Sequence, residues 1–449
     1  MADLDAIFKA YDIRGTTPDQ FDAPTARAIG AAFARLVVAD EGADRAIVAR
    51  DMRPSGVALV EAFTDGVLSQ GLDVIDVGLA STDLLYFASG SLDAPGAMFT
   101  ASHNPAEYNG IKMCFSSARP IGEDSGLRAI KDDVAEATPD AEVARGTRHE
   151  DDLLAAFADH VRSFIDVSRL RPLKVVADTA NGMGGLVVPA VFEGLPIDLE
   201  VMYGDLDGTF PNHPADPIQI ENQADLRARV VETGADVGLA FDGDADRVFL
   251  IDDQGEPLSG SITTAIVAKG VLDKEPGSTI LHNLICSKTV AEVVAEHGGT
   301  AIQTRVGHSF IKAEMASTGA AFGGEHSAHY YFRDNWRADS GAIAALVVLE
   351  QLSLAGVPLS ELRVPYDRYA ASGEINTRVD DPQAVIERVA AAYPDADQHR
   401  LDGLTVDFGG WWFNLRPSNT EPLLRLNLEA PTRAECDARV AEVQALMGG

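Results

Sequence analysis

The sequence predicts an α/β fold made of three related mixed α/β domains, followed by a smaller α+β domain. Short apolar strands alternate with amphipathic helices, a pattern typical of βαβ units and largely parallel sheets. This strand–helix–strand pattern occurs three times at similar spacing, which favours three domains of related build. The end of the chain instead carries successive strand-like runs, which indicate an antiparallel sheet.

Each of the three repeated units begins with an apolar strand, continues through a helix and returns to a second strand. The predicted segments are 45–51, 54–70 and 72–78 in the first unit, 173–182, 185–193 and 198–204 in the second, and 279–285, 287–297 and 300–307 in the third. Gly71 and Gly298, directly after the first and third helices, are typical of C-terminal caps. A further apolar run, 341–349, ends at Glu350 and predicts a buried helix rather than a membrane span.

The C-terminal part predicts a helix, a sheet and a second helix. Asp381 and Pro382 provide an N-cap and a first helical position. The strand-like runs that follow are 404–408, 411–415 and 423–430. Thr432 and Glu435 predict a capping box for the final helix. The apolar face of that helix is formed by Cys436, Val440, Val443 and Met447.

The domain boundaries follow from these units and from a polar stretch, 132–152, that predicts a helix followed by a linker. The four predicted domains are 1–145, 146–251, 252–366 and 367–449.

Composition excludes several classes of protein. The 449 residues are 46% hydrophobic and 23% charged, which excludes a disordered, collagenous or coiled-coil chain. The formal net charge of −33 disfavours nucleic acid and anionic membrane as partners. An anionic substrate would therefore need positive charge concentrated locally.

Three widely spaced cysteines without a CxxC motif indicate reduced thiols and a cytoplasmic location. The first residues have neither a basic nor an apolar region, so no signal peptide is expected.

The sequence FDGDADRVF (241–249) indicates a metal site. Asp242, Asp244 and Asp246 alternate with small residues between two apolar runs. If the chain bends at Gly243, the three carboxylates can converge on one hard cation such as Mg²⁺. A solvated acidic turn is the alternative. The flanking apolar strands and the adjacent Arg247 favour the metal site.

The sequence MFTASHNPAEYNGIK (98–112) indicates a nucleophile displayed after a strand. Ser102 follows the apolar run 96–99, at the carboxyl end where α/β sheets place ligands. Lys112 follows in the same segment. The Ser, Asn, Pro and Gly residues would equally suit a surface turn, and the Gly-x-Ser-x-Gly motif of a nucleophile elbow is absent.

Two later motifs indicate a phosphorylated, hydroxyl-rich ligand. The sequence LRPSNTEPLLRL (415–426) concentrates hydrogen-bond donors in what is also a hairpin connection; these are Arg416, Ser418, Asn419 and Thr420. The sequence FGGEHSAHYYF (322–332) alternates Glu325, Ser327 and His329 after a glycine pair, which suits a polyol, although a glycine turn is the alternative. His308 fits either a site residue or a satisfied core histidine.

Together and in this order, the motifs resemble those of the α-D-phosphohexomutase superfamily, in its phosphomannomutase/phosphoglucomutase branch. TASHNP is similar to the family's phosphoserine loop, FDGDADR to its metal loop, GEHSAH to its sugar loop and RPSNTEP to its phosphate loop. FKAYDIRG (8–15) is similar to its N-terminal active-site segment. The resemblance implies one loop in each predicted domain, in the order phosphoserine, metal, sugar and phosphate, around a central cleft.

The resemblance also implies residue roles. Ser102 is then the phosphorylated serine, and its phosphate joins Asp242, Asp244 and Asp246 in binding Mg²⁺. The implied ligands of the non-reacting phosphate are Arg416, Ser418, Asn419 and Thr420. The implied ligands of the sugar hydroxyls are Glu325 and Ser327. The implied cleft-lining residues are Tyr11, Arg14, Lys112, Arg247, Lys288, His308 and His329.

Two residues depart from the family pattern: His326 and Ala328 stand in GEHSAH where GEMSGH or GEQSGH is usual. Because they adjoin the implied sugar ligands, they bear on sugar choice.

The implied function is the interconversion of hexose 6-phosphate and hexose 1-phosphate. The sugar would be mannose or glucose, the intermediates a phosphoserine and a hexose 1,6-bisphosphate, and that bisphosphate would also serve as activator. Lys112 and His329 are the candidates for the general acid and base.

Three alternatives remain. They are a phosphoglucosamine mutase, a metal-dependent sugar phosphatase with a covalent phosphoserine, and a non-catalytic sugar-phosphate sensor. A phosphatase needs no second phosphate site, and a sensor needs neither Ser102 nor the metal triplet.

Overall fold

The fold is described from a computed structural model, in which residues 3–417 and 423–448 are described. The chain divides into two compact units. The first unit contains residues 1–258 and 327–360, and the second contains residues 259–326 and 361–449.

The first sheet has the strand order β1–β5–β4–β2–β3–β7, with β6 beside β5. Its strands are β1 (Ile13–Thr16), β2 (Arg45–Arg50), β3 (Asp73–Leu79), β4 (Gly96–Phe99), β5 (Tyr108–Phe115), β6 (Arg119–Pro120) and β7 (Arg148–Glu150). The helices of this segment are α1 (Leu4–Ile7), α2 (Ala23–Glu41), α3 (Gly56–Ser69), α4 (Thr82–Leu92) and α5 (Leu127–Glu136). The β2–α3–β3 unit is parallel as predicted, whereas β5 runs antiparallel to both β4 and β1.

Two glycines allow α2 and α3 to pack closely. A Cβ at Gly30 would lie 2.1 Å from the carbonyl oxygen of Phe63, and one at Gly66 would lie 2.1 Å from that of Arg27. Both distances are far below van der Waals contact, so a larger residue would force the helices apart. Phe33 and Phe63 pack at this crossing, with 5.6 Å between ring centroids.

The second sheet has the order β11–β10–β8–β9. The elements of this segment are α6 (Leu154–Arg162), β8 (Leu173–Asp178), α7 (Gly184–Phe192), β9 (Ile197–Met202), α8 (Ala224–Thr233), β10 (Val237–Phe241) and β11 (Val248–Ile251). β8 pairs in parallel with β9 and β10, which confirms the second predicted unit. β10 and β11 are antiparallel, and the loop that joins them is the acidic motif.

The third segment contains the third predicted unit, in which β13, β12 and β14 pair in parallel. Its elements are α9 (Gly260–Lys274), β12 (Thr279–Asn283), α10 (Lys288–Glu296), β13 (Thr300–Thr304), α11 (His308–Thr318), β14 (Phe322–Gly324), β15 (Tyr330–Phe332), α12 (Gly341–Ala355) and α13 (Leu359–Leu362). α12 is the predicted buried helix, and it continues past Glu350. The carboxylate of Glu350 is buried, and the hydrogen bond that it accepts from the backbone N–H of Asp166 at 2.9 Å offsets part of the cost of that burial.

The last segment is an antiparallel sheet with two helices, as predicted. Its elements are β16 (Ala370–Ala371), β17 (Ile375–Arg378), α14 (Pro382–Ala392), β18 (Asp397–His399), β19 (Leu404–Asp407), β20 (Trp412–Pro417), β21 (Leu423–Ala430) and α15 (Arg433–Met447). β19, β20 and β21 are the predicted runs, whereas β16, β17 and β18 were not predicted from the sequence. Thr432 caps α15 by accepting from the backbone of Glu435 at 3.2 Å. Cys436, Val443 and Met447 are buried in the core beneath it.

Among the described residues, no single helix has the length and apolar composition needed to cross a membrane. One bent pair of helices, Gly341–Ala355 with Leu359–Tyr366, passes that test by length and composition.

Candidate active site

Ser102 lies directly beyond β4, in a loop that holds its backbone in a left-handed conformation. Its φ is +49°, which is uncommon for a residue other than glycine. The backbone N–H donates to Thr100 Oγ1 at 2.9 Å, and the side chain is almost fully buried. The hydroxyl donates to Asp242 Oδ2 at 2.8 Å. The first and second sheets therefore meet at this hydroxyl.

Arg53 fixes the shape of the Ser102 loop. Its side chain is fully buried and donates to four backbone carbonyl oxygens of the loop. The acceptors and their distances are Ser102 at 2.8 Å, Asn104 at 2.7 Å, Pro105 at 2.7 Å and Tyr108 at 2.9 Å. Its Nε points to Asp51 Oδ2 at 3.2 Å, so the charge is balanced within the fold. Buried carbonyl oxygens need hydrogen-bond donors, and the guanidinium of Arg53 supplies donors to these four carbonyl oxygens of the loop.

The three predicted acidic residues converge. Asp242, Asp244 and Asp246 are all buried, and each can offer one oxygen within 4.8 Å of the others. Gly243 is needed here because a Cβ would lie 2.5 Å from the carbonyl oxygen of Ser102. The loop between β10 and β11 is thus bent against the Ser102 loop, as the sequence predicts.

The ammonium group of Lys112 lies between two of these carboxylates. Its Nζ is 2.8 Å from Asp244 Oδ2 and 2.7 Å from Asp246 Oδ2. The other oxygens of these two residues, both Oδ1, are buried without a hydrogen-bond partner among the described residues. Carboxylate oxygens are the ligands that a hard divalent cation prefers, and these two are unused. The ammonium group of Lys112 also shows that the cluster accommodates a positive charge. Asp246, His329 and Asp339 form a second possible ligand group beside it.

The charges of this cluster depend on one another. Burial and the neighbouring carboxylates raise the pKa of Asp242 and Asp246, although Arg247 and Lys112 oppose the shift. Burial would also raise the pKa of Asp244, but the charge and hydrogen bond of Lys112 hold it below its usual range. Burial lowers the pKa of Lys112, yet Asp244 and Asp246 outweigh it and leave that pKa well above its usual value. The cluster therefore requires a positive charge at its centre.

Arg247 brings a second positive charge to Ser102. Its Nε is 2.9 Å from Asp242 Oδ2, and its Nη2 is 3.4 Å from Ser102 Oγ. The same Nη2 donates to Nδ1 of His103 at 2.6 Å. Burial and the charge of Arg247 lower the pKa of His103 to about 2, so this ring is neutral and accepts the bond. Arg247 thus places a positive charge at the hydroxyl, and Lys112 places another on the neighbouring carboxylates of Asp244 and Asp246.

Two other predicted residues of the first unit, Arg14 and His329, lie beside the same cluster. Arg14 donates to Asn104 Oδ1 in the Ser102 loop at 2.6 Å, and Tyr11 is half-buried in the same N-terminal segment. Nδ1 of His329 lies 3.1 Å from Ser327 Oγ, and its Nε2 lies 3.9 Å from Asp339 Oδ2. His329 also adjoins Asp246 in the second possible ligand group.

The second unit holds the remaining predicted residues. Glu325 is buried, and its Oε1 accepts from the backbone of Gly307 at 3.0 Å and from Asn283 Nδ2 at 3.3 Å. Arg416 donates to Glu374 at 2.9 Å. Nζ of Lys288 lies 2.9 Å and 3.0 Å from the two carboxylate oxygens of Asp407. That Lys288 lies near a substrate stays a prediction.

Some predicted residues fall outside the described part of the chain. Ser418, Asn419 and Thr420 lie between the two described ranges, and the side chain of His308, the first residue of α11, is likewise not described.

Two residues of the site were missed in the sequence analysis. One is Arg53, in RDMRP (50–54), and the other is Thr82, whose hydroxyl donates to Asp244 Oδ2 at 2.6 Å. Thr82 N–H also donates to the backbone carbonyl of Asp244 at 3.0 Å, so the start of α4 fixes the loop that carries the three aspartates. The signal in the sequence was a cap-like Ser81 before the helix, but a cap does not identify a distant partner.

Comparison with known proteins places this geometry in one family. Four family models match the chain in order, with the descriptions phosphoglucomutase/phosphomannomutase alpha/beta/alpha domains I, II and III and C-terminal domain. The matched residues are 5–140, 155–255, 259–369 and 374–446.

Curated relatives agree with these matches. A protein of Xanthomonas campestris pv. campestris named "Phosphohexose mutases" is 41% identical over 98% of this chain and 99% of its own length. A "Phosphomannomutase" of Salmonella montevideo is 40% identical over 94% of each chain.

Among solved structures, a phosphoglucomutase/phosphomannomutase family protein of Burkholderia thailandensis has a TM-score of 0.91 and 32% identity, with 100% of this chain and 98% of the other covered. The fold and the acidic cluster beside Ser102 thus belong to an enzyme of the phosphohexomutase class. The chain is a member of the phosphoglucomutase/phosphomannomutase family, which confirms the resemblance found in the sequence.

Proposed function

We propose that this enzyme interconverts hexose 6-phosphate and hexose 1-phosphate of mannose and glucose, through a phosphoserine at Ser102 and a hexose 1,6-bisphosphate. The observation that carries the proposal is the environment of Ser102. Its hydroxyl lies 2.8 Å from Asp242 in a buried site that also holds Arg247 and Lys112. A phosphoryl group carried there would meet two fixed positive charges and the metal loop.

The proposed metal ligands are Asp242, Asp244, Asp246 and a phosphate oxygen on Ser102. The fit rests on the three converging carboxylates, on the unpartnered Oδ1 atoms of Asp244 and Asp246, and on the ammonium of Lys112 between them. Bound Mg²⁺ would supply electrostatic neutralisation of the transferring phosphoryl group. Thr82 then acts as a positioning residue, because its hydroxyl fixes Asp244.

Replacing Asp244 with asparagine is expected to weaken Mg²⁺ binding by at least about tenfold, because a neutral amide is a poorer ligand for a hard cation. Isothermal titration calorimetry on the full-length protein measures the affinity. Asp273→Asn, at an exposed ion pair of α9, is the control and should bind Mg²⁺ as the wild type does. Unchanged affinity in Asp244→Asn would remove this loop from the metal site.

The residues around Ser102 have defined tasks in the proposed transfer. The phosphoryl group passes from Ser102 to one sugar hydroxyl, and the other phosphate of the resulting bisphosphate returns to Ser102 after the sugar has reoriented. Arg247 and Lys112 neutralise charge on the transferring group. One residue takes the proton of the attacking hydroxyl and one returns a proton; the candidates are His329 and Lys112, and Lys112, held as a cation by Asp244 and Asp246, is the candidate that returns a proton. Ser327 orients the His329 ring through Nδ1, and the carboxylate of Asp339 lies 3.9 Å from its Nε2.

The remaining roles concern the rest of the substrate. We assign the non-transferred phosphate to Arg416, Ser418, Asn419 and Thr420, and the sugar hydroxyls to Glu325 and Ser327. The cleft-lining residues of the proposal are Tyr11, Arg14, Lys288 and His308. The predicted cytoplasmic location, the bisphosphate activator and the four domain boundaries belong to the same proposal.

One assay separates this function from its alternatives. Glucose 1-phosphate with Mg²⁺ and a trace of glucose 1,6-bisphosphate should give glucose 6-phosphate, observed by phosphorus NMR. A phosphatase would release inorganic phosphate, and a sensor would leave the substrate unchanged. Either outcome would overturn the proposed reaction.

The enzyme is expected to accept mannose and glucose phosphates alike. A substrate that binds in two orientations must meet one set of sugar contacts twice, which Glu325 and Ser327 can satisfy by binding O3 and O4. The C2 hydroxyl, where mannose and glucose differ, is then weakly contacted and weakly discriminated.

Glucosamine phosphate carries an ammonium group at C2 and should be a poor substrate. Comparing kcat/KM for the 1-phosphates of mannose, glucose and glucosamine measures the order. A preference for glucosamine above about 100-fold, or roughly 2.7 kcal/mol of transition-state discrimination, would make phosphoglucosamine mutase the better assignment.

A further inference from the structure

Two arginines of the C-terminal sheet share a single carboxylate. Arg416 on β20 and Arg425 on β21 are directly opposite each other across the two antiparallel strands. Glu374, the residue before β17, lies 2.9 Å from Nη2 of Arg416 through Oε2 and 3.5 Å from Nη1 of Arg425 through Oε1. Like charges opposite each other on neighbouring strands repel. The carboxylate therefore compensates a repulsion that the sheet itself creates.

The two guanidinium groups have donors that Glu374 does not use. Nε of Arg416 and Nε of Arg425 are buried without a hydrogen-bond partner among the described residues. A buried donor without a partner is unfavourable, and a tetrahedral anion offers more acceptor oxygens than one carboxylate. Two positive charges and one negative charge also leave the trio positive, which favours a second anion.

Glu374 can turn away from Arg416 towards water. About a third of its side chain is exposed (32%), against 12% for Arg416. A carboxylate that already reaches water can rotate away and be hydrated at little cost, because exposed ion pairs are weak. The guanidinium of Arg416 lies on a strand with neighbours on both sides, is largely buried and has no such alternative.

The same carboxylate acts on the predicted sugar loop. Burial lowers the pKa of His326, and the negative charge of Glu374 opposes that shift. Nδ1 of His326 lies 3.1 Å from Ser261 Oγ, at the start of α9. Glu374 therefore acts electrostatically on the residue that follows Glu325, as well as on Arg416. All of these residues belong to the second compact unit.

We propose that Glu374 is the resident anion of the phosphate site: it neutralises Arg416 and Arg425 in the free enzyme and is displaced when the phosphate of a hexose phosphate binds. The inference rests on the proposed function, which assigns Arg416 to the non-transferred phosphate. In this role Glu374 lowers the affinity for phosphate and speeds its release, since the carboxylate takes the place of the departing anion.

The test is Glu374→Gln in the full-length protein, titrated calorimetrically with inorganic phosphate. The amide keeps the size of the side chain but removes the competing charge. Phosphate should bind about five-fold more tightly, which corresponds to the upper end of about 1 kcal/mol for an exposed ion pair. The KM for hexose phosphate should fall in parallel. Glu387→Gln, at the exposed Glu387–Arg400 pair, is the matched control and should change neither value.

Two further variants decide among the outcomes. Glu374→Asp draws the carboxylate back from both arginines and should tighten phosphate binding in the same direction, so it serves if the glutamine variant does not fold. Weaker or unchanged phosphate binding in the folded variants would overturn the inference. Arg416→Ala distinguishes a failure of this inference from a failure of the proposed phosphate site. If it loses phosphate affinity while Glu374→Gln gains none, only the inference fails; if it binds phosphate as the wild type does, the proposed phosphate site fails as well.

Discussion

Replacing Ser102 with alanine is expected to lower the turnover of hexose phosphate by about four orders of magnitude, as expected when a nucleophile that carries the transferred group is removed. The fold should be unaffected. Alanine keeps the Cβ, so the left-handed backbone at this position, with φ of +49°, is no less favourable than in the wild type. The loop also keeps its bonds from Arg53 and to Thr100, because they involve only backbone atoms of Ser102.

The measurement is kcat with glucose 1-phosphate, Mg²⁺ and a trace of glucose 1,6-bisphosphate. Transfer of radiolabelled phosphate from the bisphosphate to the protein should disappear at the same time. Ser91→Ala, on α4 and outside the site, is the control and should retain both activities. Turnover at the wild-type rate in a correctly folded Ser102→Ala protein would contradict the phosphoserine mechanism.

The parallel units of the fold were predictable because each depends on local periodicity. The strand, helix and strand of a βαβ unit are adjacent in sequence, and the three predicted units appear as β2–α3–β3, β8–α7–β9 and β12–α10–β13. β16, β17 and β18 were missed because they have two to four residues each. Such short strands carry too little alternation to be recognised, and they form by pairing with longer neighbours.

The candidate site was predictable where several of its polar residues lie close together in the sequence. Ser102 and the three aspartates lie in dense motifs, and the structure brings them together. Thr82 and Arg53 were not predictable, because each acts on a segment far away in sequence. A lone threonine at a helix start or an arginine after a strand has many ordinary functions. Which function applies is decided only by tertiary contacts.

Ala328 departs from the family pattern at a position where the backbone conformation is unfavourable for alanine. Its φ is +66°, in the left-handed region that favours glycine, and its side chain is fully buried. This explains in physical terms why glycine is usual at the position in the family. Alanine is tolerated because the strain of one left-handed alanine is about 1 kcal/mol, small against the packing around it.

Replacing Arg53 with lysine is expected to lower kcat by about 100-fold, because displacement of a reacting group by about 1 Å has effects of this size. The guanidinium joins the carbonyl groups of Ser102, Asn104, Pro105 and Tyr108. A lysine ammonium is a single point of charge and cannot span these acceptors. The free energy of unfolding should fall by about 3 kcal/mol, because carbonyls in a buried loop lose their partners.

The two effects of Arg53→Lys can be measured separately. Arg53 is a positioning residue, so KM for hexose phosphate should change much less than kcat, and Mg²⁺ affinity by calorimetry should stay near the wild-type value. A purely structural loss would instead reduce the amount of folded enzyme and leave kcat per folded molecule unchanged. Arg50→Lys is the matched control; this arginine ends β2, three residues before Arg53, and has one weak bond to the carbonyl of Asp51 at 3.2 Å. An equal loss of kcat in both variants would show that the Ser102 loop does not depend on the guanidinium of Arg53.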